Sequence, residues 1–346
     1  MTSQTPFRPR TILGLMTFGP DPNKGARITS LPEFAQCLEY LKSQGYNEVD
    51  TARMYLDEKQ EEFTAAVGWK ERGLSLATKV YPTEPGIHKP ASLQRKFRES
   101  LAALQTDRVD IFYLHAADRS VPFAETLKAV DELYKEGRFK RLGLSNYTAF
   151  EVAEIVIMCA ERGWVRPTIY QAMYNAITRN IETELIPCCR RYGLEIVVYN
   201  PLAGGILSGK YQTGAAVPEE GRFSDKNTTG ALYRRRYLND SVLNALDIIR
   251  PVAEKHGLTL PDVAFRWLCH HSQLRLEGDG KDGILIGVSS FGQLQQNLTA
   301  LQQGPLPDEL VDALDEAWMC VKPVAANYWH LELRYTYDTQ AALFGQ

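Results

Sequence analysis

Short apolar runs alternate with longer amphipathic stretches along this chain, and several of the runs give out at a polar residue. Arg10-Thr11-Ile12-Leu13-Gly14-Leu15, Tyr46-Asn47-Glu48-Val49 up to Asp50, Leu74-Ser75-Leu76-Ala77-Thr78 up to Lys79, and Val109-Asp110-Ile111-Phe112-Tyr113-Leu114 up to His115 read as four strands. Phe139 to Leu144, Thr168 to Met173, Glu195 to Tyr199 and Gly283 to Val288 read as four more. Between them apolar residues recur at helical spacing. Leu31, Phe34, Leu38 and Leu41 form one stripe, opened by a capping box of Ser30 and Glu33; Leu93, Phe97, Leu101 and Leu104 form another within Ser92 to Leu104. Further helices are predicted at Lys59 to Val67, Phe123 to Lys135 with Gly137 as its stop, Phe150 to Arg162 and Glu182 to Tyr192. Val242 to His256, Pro261 to His271, Leu294 to Leu301 and Asp308 to Trp318 follow. Regular strand-then-helix units of this length predict a parallel sheet with right-handed crossovers, and eight strands suit a closed barrel. The expected fold is α/β, a (β/α)8 TIM barrel spanning residues 1–346 as one domain, since such barrels run longer than most domains.

Two stretches leave this rhythm. From Asn200 to about Asn239 the chain is rich in Gly, Pro and charge, so residues 200–240 are expected to act as a lid or cofactor-covering loop after the seventh strand. An aromatic-rich tail occupies residues 320–346. Composition then narrows the partners. Apolar residues at 44% and charged residues at 23% suit a soluble globular chain, and a net charge of -3 creates no field that gathers nucleic acid or anionic membrane. No apolar run is long enough to span a bilayer, and the first ten residues lack the apolar centre of a secretion signal. Six cysteines, spread thinly with no C-x-x-C, fit a reducing, cytoplasmic compartment better than a disulfide framework. The Asn-x-Thr triplets at Asn146, Asn227 and Asn297 are then chance matches.

Asp50, Lys79 and His115 put one ionisable group at the C-terminal end of three successive predicted strands, and Tyr55 follows closely on the first. In a parallel barrel that rim collects catalytic residues, because strand ends hold side chains rigidly while the loops shape the pocket. A phenol donates protons poorly near neutrality, but an ammonium beside it favours the phenolate. Lys79 suits that role toward Tyr55, Asp50 can hold Lys79 by a charge-assisted hydrogen bond, and His115 can orient a substrate oxygen. The set suits protonation of a carbonyl oxygen while something else attacks its carbon. Neither a metal-ligand cluster nor a G-x-S-x-G elbow supplies the attacker, so a bound hydride donor is the economical choice.

Taken in this strand order, the four residues resemble the catalytic tetrad of the aldo-keto reductase superfamily, and the likeness covers nearly the whole chain. Tyr113-Leu114-His115-Ala116-Ala117-Asp118, Gln171-Ala172-Met173-Tyr174-Asn175-Ala176 and Asn200-Pro201-Leu202-Ala203-Gly204-Gly205 most resemble its aflatoxin-aldehyde and succinic-semialdehyde reductase branch. The resemblance implies hydride transfer from NADPH to an aldehyde or ketone, a small-molecule carbonyl substrate. It makes Tyr55 the proton donor, Lys79 and Asp50 its tuning partners and His115 the carbonyl-orienting residue. It further implies that Ser145, Asn146 and Gln171 hold the nicotinamide carboxamide, which needs donors and acceptors together, and that Tyr199 lies against the ring. Asn200, Leu202, Gly204, Gly205 and Lys210 fall in the segment implied to cover the pyrophosphate. Ser289, Gln293, Gln296 and Asn297 resemble the adenosine-end site at a helix N-terminus, where free N–H groups favour phosphate. Gly287 to Asn297 contains no basic residue, so preference for NADP+ over NAD rests on Ser289, the helix terminus, and Lys210 or Arg222 from the long loop. Tyr233 and Arg236 correspond approximately to positions that bind a substrate carboxylate, which an arginine grips through two parallel hydrogen bonds.

Taken singly, Asp50 and Lys79 read as a structural ion pair, Tyr55 as a half-buried aromatic and His115 as a core histidine. Their joint placement favours catalysis. Gly204 to Lys210 looks like a P-loop, yet Tyr211 stands where a hydroxyl would bind magnesium; Gly278 to Gly283 matches G-x-G-x-x-G but precedes a strand. Adjacent His270 and His271 point apart on a helix, and the absence of an H-x-H pair argues against a metal-dependent barrel hydrolase. The standing alternative is a cofactor-binding regulatory subunit resembling potassium-channel β-subunits. A homodimer stays open.

Overall fold

A computed structural model describes residues 7–211, 223, 224 and 230–345. Eight strands form: β1 (Thr11–Gly14), β2 (Glu48–Asp50), β3 (Ser75–Val80), β4 (Val109–Leu114), β5 (Phe139–Ser145), β6 (Pro167–Met173), β7 (Glu195–Tyr199) and β8 (Gly283–Gly287). They pair in parallel in chain order and close, with Thr11 of β1 opposite Ile284 of β8 and Gly14 opposite Gly287. The chain is thus the expected (β/α)8 barrel. Between the strands run α1 (Leu31–Ser43), α2 (Gln60–Ala66), α3 (Pro90–Ala103), α4 (Phe123–Lys135), α5 (Ala149–Arg162) and α6 (Leu185–Tyr192). After β7 come α7 (Gly230–Tyr237), α8 (Asp240–Lys255) and α9 (Leu260–His270), and after β8 come α10 (Phe291–Leu301), α11 (Asp308–Val321) and α12 (Thr339–Phe344).

Strand parity positions everything that follows. Side chains alternate across a strand, so residues two apart share a face. Ile12, Ala77, Ile111, Tyr113, Ile169 and Val197 meet inside the barrel as a small apolar cluster, while Leu76, Phe112, Leu114, Tyr170 and Val198 pack outward with the helices. Stepping two residues toward the C-terminal end from the inward set reaches Lys79, His115, Gln171 and Tyr199. Tyr113 is the largest member of the inner cluster, and its ring lies across from Gly143 on β5, its register partner. A Cβ at Gly143 would sit 2.3 Å from two ring carbons of Tyr113. At the opposite end Arg10 closes the barrel floor, bonding Glu48 at 2.7 Å and Glu195 at 2.9 Å.

Helix boundaries fall near those predicted, with three informative differences. Leu31 is 37% exposed, and the buried stripe of α1 starts at Phe34, one turn later. Only half of the capping box forms. Ser30 Oγ accepts the Glu33 N–H at 3.3 Å, but the Glu33 carboxylate accepts the N–H of Phe291 on α10 instead of returning to Ser30. Within the stretch expected to be irregular, a run of tight turns over Ala203–Ser208 follows β7, and α7 buries Tyr233 and Tyr237, four residues apart.

The tail is fastened. Arg119, in the loop after β4, pairs through Nε and Nη2 with the buried Glu151 of α5 at 2.7 and 2.9 Å, and donates from Nη1 to the carbonyls of His330 and Glu332. Tyr335 donates to the same Glu151 at 2.7 Å, and the His330 N–H donates to the Asn146 carbonyl at 3.1 Å. Tyr328 reaches Glu184 and caps the N–H of Ala149. Residues 328–336 therefore lie over the C-terminal rim. No helix among the described residues is long and apolar enough to cross a membrane.

The contact between Tyr113 and Gly143 is testable. Gly143→Ala is expected to lower stability by about 1–3 kcal/mol through overpacking, read as a fall in the urea midpoint at unchanged slope. An unchanged midpoint would mean that the Tyr113 ring can tilt aside freely.

Candidate active site

The centre of the rim is a buried cation. Lys79 is fully buried, and its ammonium donates to Asp50 Oδ1 and, at 2.7 Å, to the carbonyl of Thr51. Gln171 reaches across the barrel from β6 and donates from Nε2 to Asp50 Oδ2 at 3.0 Å. Burial pulls the Lys79 pKa down, opposed by the charge and hydrogen bond of Asp50. The same nitrogen lies 5.3 Å from the centre of the Tyr55 ring and 5.8 Å from that of Tyr113 beneath it. Asp50, Tyr55 and Lys79 thus meet at one point.

His115 joins them edge-on, its ring 6.0 Å from that of Tyr55. Burial, reinforced by the positive charge of Lys79, holds its imidazole well below the ordinary histidine pKa, so it stays neutral. Tyr81, two residues past Lys79, packs edge-on against His115 at 5.3 Å and lies 6.1 Å from His330 of the tail. Arg236 of α7 completes the rim, its Nη2 2.9 Å from His330 Nε2. The arginine donates, so His330 accepts through Nε2; burial and the neighbouring cation push its pKa down to about 3. Tyr233, by contrast, is 7% exposed, with its ring against Gly204. Sequence reasoning missed Tyr81 and His330. Tyr81 sits just beyond a strand end and was within reach of the same argument; nothing periodic in the tail distinguishes His330.

The residues implied to hold a nicotinamide also converge. Asn146, at φ 60°, donates from Nδ2 to the His115 carbonyl at 2.8 Å and to Ser145 Oγ at 2.9 Å. The Tyr199 hydroxyl donates to Asn146 Oδ1 at 2.7 Å. Ser145, Asn146, Gln171 and Tyr199 form one continuous arc through Asp50 and His115. Past β7, Asn200, Ala203, Gly204 and Gly205 all have positive φ, and a Cβ at Gly204 would lie 2.5 Å from the Tyr233 ring. The Asn200 carbonyl accepts from Asn175, and its side chain interacts with the Tyr237 phenol. Leu202 is half-buried and Lys210 exposed. Arg222 lies outside the described residues.

At the β8 end, Ser290 is the N-cap of α10, accepting the Gln293 N–H at 3.3 Å, while the Ser289 N–H donates to Gln293 Oε1 at 2.8 Å. Gln296 is exposed and Asn297 is buried. Two basic residues near Tyr211 escaped sequence reasoning. Arg250 of α8 donates to the Tyr211 carbonyl at 2.7 Å. Arg27, in the turn before α1, lies close enough to Tyr211 to oppose the rise that burial gives its phenol.

Comparison with known proteins shows the family. Residues 10–319 match the Aldo/keto reductase family. The chain is 47% identical over 296 residues to an aldo-keto reductase of Pseudocercospora fijiensis (strain CIRAD86), covering 84% of this chain and 99% of that one. It is 41% identical over 319 residues to the aldo-keto reductase pigE of Monascus ruber, covering 89% and 93%. It is 40% identical over 337 residues to aflatoxin B1 aldehyde reductase member 2 of Rattus norvegicus, covering 94% and 89%. The chain belongs to the aldo/keto reductase family, and is an oxidoreductase acting on carbonyl compounds.

Proposed function

We propose that the protein reduces an aldehyde or ketone with NADPH, and that Tyr55 gives the proton to the carbonyl oxygen. The observation that carries this reading is the buried Lys79 ammonium, held by Asp50 and the Thr51 carbonyl and 5.3 Å from the centre of the Tyr55 ring. A cation there favours departure of the phenolic proton as charge develops on the substrate oxygen. His115, neutral in its buried place, donates a hydrogen bond to that oxygen and aims the carbonyl. NADPH, when bound, supplies the hydride.

The residues present fit such a cofactor. Ser145, Asn146 and Gln171 offer amide and hydroxyl groups suited to a carboxamide, and Tyr199 offers a flat ring. Asn200, Leu202, Gly204, Gly205 and Lys210 would face the pyrophosphate; the open space beside Gly205, where a Cβ would meet nothing within 4 Å, supports this. Ser289, Gln293, Gln296 and Asn297 would hold the adenosine end. Lys210 and Arg27 are two of the described cations near Tyr211, and we assign them to the 2'-phosphate. The aldehyde named in the rat relative points to aldehydes as the substrate class, and Arg236 at the rim suits one carrying a carboxylate. Six free thiols fit a cytoplasmic setting.

Three outcomes are expected. Tyr55→Phe should lower turnover by about 10²- to 10⁴-fold while NADPH still quenches protein fluorescence; an active mutant would remove Tyr55 as the acid. A wild type that binds NADPH but reduces none of succinic semialdehyde, an aromatic aldehyde or a dicarbonyl would favour the regulatory-subunit reading. The His115 pKa is lowered, so between about pH 6 and 8 the imidazole stays neutral; kcat/KM should fall only on the alkaline side, as the acid loses its proton. An acid limb near the ordinary histidine pKa that disappears in His115→Gln would contradict this. Lys210→Ala with Arg27→Ala should raise the KM for NADPH by about tenfold and leave that for NADH unchanged.

A further inference from the structure

The segment that presents Tyr55 is folded against ordinary backbone preference. Leu56, Asp57 and Glu58, which follow it directly, have φ of 50°, 52° and 67°, three successive side-chain-bearing residues in the left-handed region. Such a run persists only where the surroundings over-determine it.

The surroundings converge on Arg53. Its Nη2 donates to Glu58 Oε2 at 2.8 Å, and its Nη1 to the Glu58 carbonyl at 3.3 Å and to Glu61 Oε2 at 2.9 Å. Its own N–H donates to the Lys79 carbonyl at 3.0 Å. Glu61 is fully buried and also accepts from Thr78 Oγ1 at 2.6 Å, so it ties the guanidinium to β3 one residue before Lys79. Lys96 of α3 takes the other oxygen of Glu58 at 2.8 Å, Lys24 pairs with Asp57 at 2.6 Å, and Leu56 fills the space beside Gly19 that a Cβ would need. A hydrogen bond from Thr51 to Gln60 closes the base of the loop. Burial raises the Glu61 pKa, and Arg53 and Thr78 oppose that rise.

We propose that Arg53 is a positioning residue. By clamping the Leu56–Glu58 turn to Glu61, and through Glu61 to Thr78 beside Lys79, it holds the Tyr55 phenol against the Lys79 ammonium and His115. This rests on the reading of Tyr55 as the acid. Arg53 acts through Tyr55, so its loss should lower the rate of the chemical step while leaving cofactor and substrate binding in place.

The test compares Arg53→Met, Glu58→Gly, the double variant and Tyr55→Phe in the full chain, measuring kcat, KM, NADPH affinity and melting temperature. Arg53→Met is expected to lower kcat by about 10- to 100-fold, the scale of a small misplacement at a reacting centre, with KM and NADPH affinity close to wild type. Glycine adopts a positive φ without strain, so Arg53→Met should cost less kcat in the Glu58→Gly background. Wild-type kcat in Arg53→Met, whatever its melting temperature, would overturn the proposal, as would a loss of kcat matched by lost binding. Where Arg53→Met does not fold, Arg53→Gln is read by the same criteria. If Tyr55→Phe keeps full activity, the acid assignment fails and the clamp with it. If Tyr55→Phe is inactive and Arg53→Met is not impaired, the clamp alone fails.

Discussion

A fully buried ammonium is the constraint on which this structure turns. Taking such a charge out of solvent costs several kcal/mol unless a well-placed counter-charge and hydrogen bonds offset it. Lys79 obtains both from the end of the neighbouring strand, through the Asp50 carboxylate and the Thr51 carbonyl, and Asp50 in turn is steadied by Gln171 from the far side of the barrel. Those three positions meet only when the sheet is closed and in register. A one-residue slip would turn Lys79 out among the helices and Thr78 into the pocket. Barrel closure and site electrostatics are therefore one requirement, met by the same hydrogen-bonded ladder.

Much of this was legible in the sequence, for a physical reason. Strands buried on both faces read as apolar runs, and a run that ends in Asp, Lys or His announces its C-terminal end and the polar layer above the apolar plug at once. The strands and the convergence of Asp50, Lys79 and His115 came from that signal, most of the helices from their own apolar period, and Tyr55 from its place shortly after Asp50. What stayed hidden has equally specific causes. Three consecutive arginines mask the Tyr233 and Tyr237 spacing of α7, because local polarity swamps a two-residue stripe. Leu31 satisfies the helical period yet is exposed, because it is the first residue of α1 and the buried stripe begins only at Phe34. Glu33 has a competing partner in the N–H of Phe291, which only the closed barrel brings near.

The rim shows a second kind of illegibility. Tyr81, His330 and Arg236 form a chain of contacts over the centre, but they come from three distant parts of the sequence, and no local pattern joins them. Arg27 beside Tyr211 is of the same type. Residues that line an entrance are chosen by what passes through it, whereas those on strand ends obey the sheet's period.

The tail clasp has a consequence for how the pocket comes into being. The hydrogen bond from Arg119 to the His330 carbonyl joins groups 211 positions apart. During synthesis Lys79 can meet Asp50 on the neighbouring strand before the ribosome has made the segment that roofs them. The inner chemistry and the part of the doorway that the tail supplies are written in separate stretches of the gene. Exchange of the final stretch alone would alter which molecules enter while leaving the proton-handling centre as it was.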